Sequence, residues 1–177
     1  MGHRTCQSTG ARRSPGPIPC SAHDHQPCFQ GRRRHTSGEH PVRCQHFPGL
    51  GWSKGPKGTK SYVVIVQGDA TSGSTTSIHL TLFNVPASVT QLGAGMATPP
   101  SGATYGPNVH GLNQPYAGPH PHTGAPQRYH LQVFALDTTL GSNPPASLEA
   151  LESAMAGHVL ASGELVGAAA GEPGTSR

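Results

Sequence analysis

Between Gly93 and Pro126, seven glycines and seven prolines fall within 34 residues, and the segment runs almost directly into Tyr129-His130-Leu131-Gln132-Val133-Phe134-Ala135-Leu136. Proline fixes φ and glycine admits positive φ, so a stretch of this kind is either a shaped loop or a disordered one. The run that follows is rich in the β-branched and aromatic residues that suit a sheet. The loop carries Tyr105, His110, Tyr116, His120 and His122. A rigid loop of this chemistry, joined to a well-patterned strand, reads as the rim of a pocket on a fixed scaffold.

Other segments supply the scaffold. Ser61-Tyr62-Val63-Val64-Ile65-Val66 is a continuous apolar run, expected to form a central strand buried on both faces. Ile78 to Val85 alternates, with Ile78, Leu80 and Leu82 on one face and His79 on the other, and Pro86 ends it. Leu148, Leu151 and Met155 recur at helical spacing, with Ser147 placed to cap the helix and Gly157 to stop it. A final short strand is expected at Glu164-Leu165-Val166-Gly167. Order is expected to begin near Phe47. About 120 ordered residues suffice for one core, burying roughly two thirds of the surface of the unfolded chain.

Charge divides the chain. Residues 1–60 hold ten Lys/Arg against Asp24 and Glu39, a net of +8, whereas residues 61–177 hold Arg128 and Arg177 against six acids, a net of −4. Residues 1–45 show no period of 2 or 3.6 and almost no Leu, Ile or Val, so they bury too little apolar surface to offset ordering entropy. They read as a solvated tail or as non-native sequence from a misplaced start. The competing reading is a basic arm in which Arg12-Arg13 and Arg32-Arg33-Arg34 bind nucleic acid; the acidic remainder argues against it. Cys6, Cys20, Cys28 and Cys44 all lie here, and neither C-x-x-C nor H-x3-5-H spacing occurs, so unpaired thiols are expected rather than a metal site or a disulfide frame. No apolar run of 18 residues and no signal-peptide h-region is present. The expectation is a cytoplasmic protein without integral membrane contact, or a periplasmic one if the natural N-terminus differs.

Gly51-Trp52-Ser53-Lys54-Gly55 matches G-x-S-x-G, but Pro56 and Gly58 follow at once and the next element is a strand, whereas a nucleophile elbow needs a helix there. A different constellation is Asp69 after the first strand, His79 on the second, and the loop from Gly118 to Arg128 with His120 and His122. Imidazole titrates near pH 6.5, so such a cluster can hold a phosphate or carboxylate through charge-assisted hydrogen bonds of about 1.5–3 kcal/mol each.

These residues resemble the phosphatidylethanolamine-binding proteins, in their bacterial Raf-kinase-inhibitor-like branch, over roughly Phe47 to Gly167. PGLGWSKGPKGTKSYVVIV is similar to that family's P-x-L-x-W…P-x-G-T-K-S-Y opening, and Asp69-Ala70 to the end of its D-P-D-A-P motif. His79 is similar to the His of its His-Trp pair. GPNVHGLNQPYAGPHPHTGAPQRYHLQVFALD is similar to its G-x-N…Y-x-G-P-x-P-P-x-G…H-R-Y…A-L-D signature, and AMAGHVLASGELVG to its closing segment. The departures are Gln67 for the first motif aspartate, Gly68 for its proline, Leu80 for the Trp, His122 for a proline, and Gln127 for the His before Arg-Tyr.

The resemblance implies a mainly β, sandwich-like fold with one or two peripheral helices and with its opening strands missing or altered. It divides the chain into a basic segment 1–45, a domain 46–168 and a disordered tail 169–177. It implies a non-enzymatic protein without cofactor, whose small anion pocket takes a phosphate or phospholipid head group, with a protein partner such as a kinase or protease as a further expectation. Carried over by position, the ligand-binding residues are Asp69, His79, Tyr116, Gly118, Pro119 and Pro121; His120 and His122 join them as sources of positive charge. Two alternatives stand beside this: a hydrolase using His79 with Asp69 as an acid/base pair, and a truncated or frame-altered, non-functional member of the family.

Overall fold

The computed structural model describes residues 46–70, 76–118 and 127–169, together with the backbone of two short strands at 16–17 and 20–21. In chain order the elements are β1 (Gly16–Pro17), β2 (Cys20–Ser21), β3 (Leu50–Trp52), β4 (Ser61–Gly68), β5 (Ser77–Pro86), β6 (Gln91–Leu92), β7 (Thr104–Tyr105), β8 (Gln127–Leu136), α1 (Leu148–Met155) and β9 (Val159–Ala169). They form a six-stranded sheet in the order β1-β9-β8-β4-β5-β7 and a three-stranded sheet in the order β2-β3-β6. The fold is mainly β, as the sequence implies.

The continuous apolar run does become a central strand. β4 lies between β5 and β8, antiparallel to both, and its two faces serve two different cores. Tyr62, Val64 and Val66 point into a cluster with Phe47, Leu50, Trp52 and Leu92, the residues by which the smaller sheet covers the larger one. Val63 and Ile65 point the other way, against Phe83, Leu136 and the Leu151 and Met155 of α1. Period-2 geometry sends neighbouring side chains to opposite faces, so a strand with partners on both sides must be apolar throughout.

α1 forms where the spacing predicts it: the Ser147 hydroxyl accepts from the Ala150 amide at the N-terminus, and Gly157, at φ +82°, follows its end. β9 is longer than the Glu164–Gly167 strand expected. It pairs with β8 from Val159↔Leu136 to Ala169↔Gln127. Ala161, Ser162 and Gly163 have little preference for strand; the pairing with β8 carries them. β3, β6 and β7 are two or three residues long and leave no periodic signal. Two strands come from the segment before residue 46: β1 pairs parallel with β9, and β2 antiparallel with β3. The remainder of 1–45 and the 170–177 tail lie outside the described residues.

β5 departs from regular alternation twice. Its register against β4 passes from Tyr62↔Val85 to Val64↔Leu82, and from Val66↔Leu80 to Gln67↔Ile78. At the first step Asn84 takes φ +55°, and its amide pairs with both the N–H and the C=O of Leu140, tying the approach to α1 onto the sheet. At the second step His79 is the extra residue. A bulge of this kind re-aims a side chain, and the expectation that His79 faces away from the Leu80 and Leu82 side is overturned: its ring packs on Tyr129, which alternates with Leu131, Val133 and Ala135 of the same core.

Candidate functional site

His79 sits at 6% exposure. Its Nδ1 lies 2.8 Å from the carbonyl oxygen of Ala117, whose amide in turn donates to the carbonyl of His79 at 2.8 Å. A carbonyl only accepts, so the proton on Nδ1 is assigned by its partner, and Nε2 is the nitrogen turned toward the end of β4. There it meets Gly68. A β-carbon built on Gly68 would stand 3.0 Å from Tyr129 Cε1, 3.2 Å from Gln127 Nε2 and 3.3 Å from His79 Nε2. A residue without a side chain is therefore the one that lets an imidazole, a phenol ring and a carboxamide converge.

The Gly/Pro loop hangs on the outer edge of β5. The amides of Gly106, Val109 and Ala117 donate to the carbonyls of Thr81, Ile78 and His79, and the Thr81 hydroxyl donates to the carbonyl of Pro107. The loop thereby satisfies backbone groups that an edge strand would otherwise leave open. Asn108 shapes its interior: its amide nitrogen donates to the Pro115 carbonyl at 2.7 Å and its side-chain oxygen accepts from the His110 amide at 2.8 Å. Gly111 and Asn113 turn the chain at positive φ, +115° and +56°. This is the shaped alternative of the two the composition left open, up to Gly118.

The loop delivers Tyr116 to the same place. The ring packs edge-on against Phe47, centroids 5.6 Å apart, and its hydroxyl is buried with no hydrogen-bond partner among the described residues. Burial, and then the neighbouring Tyr129, push its pKa far above the ordinary phenol value, so it stays a protonated donor. Tyr129 is likewise raised by burial, to about 12, and its hydroxyl donates to Gln127 Oε1 at 3.0 Å. Gly118 is buried beside Ala117. Pro119, His120, Pro121 and His122 lie outside the described residues.

Asp69 shares this end of the sheet but turns its carboxylate to the opposite face. Its carbonyl accepts from Gln127 Nε2 at 2.8 Å, and its amide donates to the carbonyl of Arg128. Its Oδ1 lies 2.8 Å from His130 Nε2, and Oδ2 lies 4.0 Å from Arg128 Nε. His130 follows Tyr129 on β8 and so faces away from His79. Its other nitrogen, Nδ1, is 2.9 Å from Glu164 Oε1, which also accepts from Gln132 Nε2 at 3.0 Å. Desolvation works against the charged ring, but hydrogen bonds and Coulomb attraction from Glu164 and Asp69 outweigh it and raise the His130 pKa above its ordinary value.

The structure thus brings His79, Tyr116 and Gly118 together and adds Gly68, Gln127 and Tyr129, which the sequence reading had not singled out as site residues. It directs the Asp69 carboxylate elsewhere, to His130 and Arg128, which removes it from the acid/base pairing with His79 that a hydrolase would use. Among the described residues, no group of three or more His, Cys, Asp or Glu is arranged to hold a metal ion, and no helix is long and apolar enough to cross a membrane. Ser53 of the G-x-S-x-G match is exposed and is followed by β4 rather than by a helix.

A family model described as phosphatidylethanolamine-binding protein matches residues 18–170. A UPF0098 protein of Methanothermobacter thermautotrophicus is 36% identical over 124 residues, covering 68% of this chain and 80% of that protein. Among solved structures, Escherichia coli YbcL, described as a member of the mammalian PEBP family, superposes with a TM-score of 0.69 at 27% identity, covering 88% of this chain and 99% of that one. A phosphatidylethanolamine-binding protein homologue of Chlamydia trachomatis gives a TM-score of 0.63 at 32% identity, with 71% and 84% covered.

Proposed function

This chain belongs to the phosphatidylethanolamine-binding protein family, and from that premise we propose that it is a binding protein whose anion site, at His79, Tyr116 and Gly118, takes a phosphate group, free or as a phospholipid head group. The observation that carries the reading is the anchoring of His79: Nδ1 is held on the Ala117 carbonyl, which turns Nε2 toward the end of β4, beside Gly68, Gln127 and Tyr129. A protonated Nε2 donates a charge-assisted hydrogen bond to an anion; a neutral one accepts from the hydroxyl of a monoprotonated phosphate.

Two further features support an anion. The Tyr116 hydroxyl is a buried donor that stays protonated, and it has no protein acceptor among the described residues. The nearest acid in sequence, Asp69, directs its carboxylate to the other face, onto His130 and toward Arg128, which offset its charge. Binding without turnover fits this donor set: the groups placed against His79 above, the Ala117 carbonyl, Gly68 and the Tyr129 ring, include no serine or cysteine side chain. The output of binding, on this reading, is modulation of a partner enzyme such as a kinase or protease.

Phosphate and phosphorylethanolamine titrations followed by heteronuclear NMR on the full chain test the proposal. Saturable shifts centred on His79, Tyr116, Ala117 and Gly118, abolished by His79→Ala, are the expected result. Shifts scattered over the surface, or none, overturn it, and hydrolysis of phosphoesters that His79→Ala removes would replace it with an enzyme.

A further inference from the structure

The ring of His130 has a carboxylate oxygen within 2.9 Å of each nitrogen, Asp69 on one side and Glu164 on the other. Carboxylates accept, so both contacts are satisfied together only when both ring nitrogens carry protons, that is, by the imidazolium. Among the described residues, the groups around it are Asp69 at the end of β4, Glu164 on β9, and Arg128 and Gln132 on its own strand β8. The ring is a quarter exposed, so it exchanges protons with solvent while holding three strands together.

The two sides of this bridge are not equal. Glu164 lies within β9, paired in register opposite Gln132, and keeps the Gln132 amide as a second partner. Asp69 lies beyond the last paired residue of β4, and its alternative partner, Arg128, is 4.0 Å away and largely exposed. A neutral ring can donate to only one carboxylate and presents a lone pair to the other, so loss of the proton releases Asp69. That residue's backbone carbonyl holds the Gln127 amide, and the same Gln127 side chain accepts from Tyr129, whose ring packs against His79 at 5.2 Å.

We propose that His130 is a proton-operated clasp: charged, it fixes Asp69 and, through Gln127 and Tyr129, the wall of the His79 site; neutral, it lets that wall loosen. For its ligand this inference rests on the anion-site reading given above; for its mechanism it rests on the bonds around His130 alone. It makes anion binding sensitive to pH from a position on the far face of the sheet, with no contact between His130 and the anion.

The test is an NMR titration of the full chain from roughly pH 5.5 to 8.5, the range in which histidines change charge, with sulfate as probe because its own charge is constant there. The expected result is that both His130 ring nitrogens carry protons at the acid end and that the Gln127 side-chain amide and Tyr129 ring resonances shift with the midpoint of His130. Sulfate affinity should fall across that midpoint by about fivefold, the lower end of coupling between sites. Glu164→Gln should move all of these steps to lower pH together, and His130→Gln should remove the step. Gln127 and Tyr129 resonances that stay still through the His130 midpoint overturn the clasp. If sulfate binds at no pH, the anion-site reading fails by itself, and the same resonances still decide whether the clasp exists.

Discussion

Gly68 lies so close to His79 that a β-carbon on the glycine would stand 3.3 Å from Nε2, and closer still, 3.0 Å, to the ring of Tyr129. Its φ is not in the positive region, so the demand on this position is for space and not for a special backbone. Gly68→Ala should therefore act as overpacking, destabilising the protein by about 1–3 kcal/mol. Denaturant midpoints measure that cost, and the Tyr129 ring resonances should shift with it. An alanine accepted without either change would show that this corner is looser than its distances.

Gln127 has both ends of its carboxamide engaged, with Nε2 on the Asp69 carbonyl and Oε1 on the Tyr129 hydroxyl. Gln127→Ala removes the hydrogen bond that the Tyr129 hydroxyl donates to Oε1, in a residue 1% exposed, and the loss of one such bond costs about 0.5–1.5 kcal/mol. In a double-mutant cycle with Tyr129→Phe the two losses should be less than additive. Strict additivity would mean that the bond contributes nothing.

Leu151 of α1 is fully buried against Val63, Ile65, Phe83 and Leu136, on the face opposite His79. Leu151→Ala should cost about 2–5 kcal/mol through the lost burial and the cavity left behind. Because the two clusters are separated by the sheet, the folded fraction should retain the resonances of His79 and Tyr116 unchanged. Chemical unfolding and a spectrum of the variant at low denaturant check both halves.

How much of this could be read from the chain follows from where each signal resides. β4, β8 and α1 announce themselves because their signals are internal: Tyr62 to Val66 is apolar on both faces, Tyr129 to Ala135 alternates, and Ser147 and Gly157 bracket a helical repeat. The bulge at His79 does not, because alternation counts residues along one strand while a bulge is a mismatch between two. Its consequence is large: a residue assigned to the wrong face becomes the centre of the site. The partners of Asp69 were hidden for a related reason. His130 and Glu164 are 34 residues apart and meet only through the register of β8 against β9, in a stretch where Ser162 and Gly163 disguise the second strand. The closeness of Tyr116 and Gly118 to His79 was suggested by the family resemblance, and the paired Ala117–His79 backbone and ring bonds account for it physically.

Tyr116→Phe removes one oxygen that has no partner among the described residues, so it should leave stability within about 0.5 kcal/mol or raise it slightly, a buried unpaired hydroxyl being unfavourable in itself. If that hydroxyl serves an anion, the same change should weaken phosphate binding by about tenfold, the loss expected for one hydrogen bond to a charged group. Stability and affinity moving in different directions distinguishes a binding donor from a packing residue. Loss of both would place Tyr116 in the core alone.

The stability of the fold should also depend on pH through His130, and the sign is determined by its surroundings. The folded-state pKa is raised, because the hydrogen bonds and attraction of Glu164 and Asp69 outweigh desolvation. A group bound more tightly to its proton in the folded state stabilises that state wherever it is charged in both, so the full contribution is present below the unfolded value near 6.5 and is lost as pH rises through the higher folded value. Denaturant midpoints measured across that window should decline on the alkaline side. Glu164→Gln removes the first of the two raising partners and leaves Asp69, so the decline should begin at lower pH and be shallower, the remaining slope coming from the His130–Asp69 contact. A wild-type stability that is flat across the window, or a variant that declines as steeply as its parent, would show that the two carboxylates do not hold the ring in its charged form.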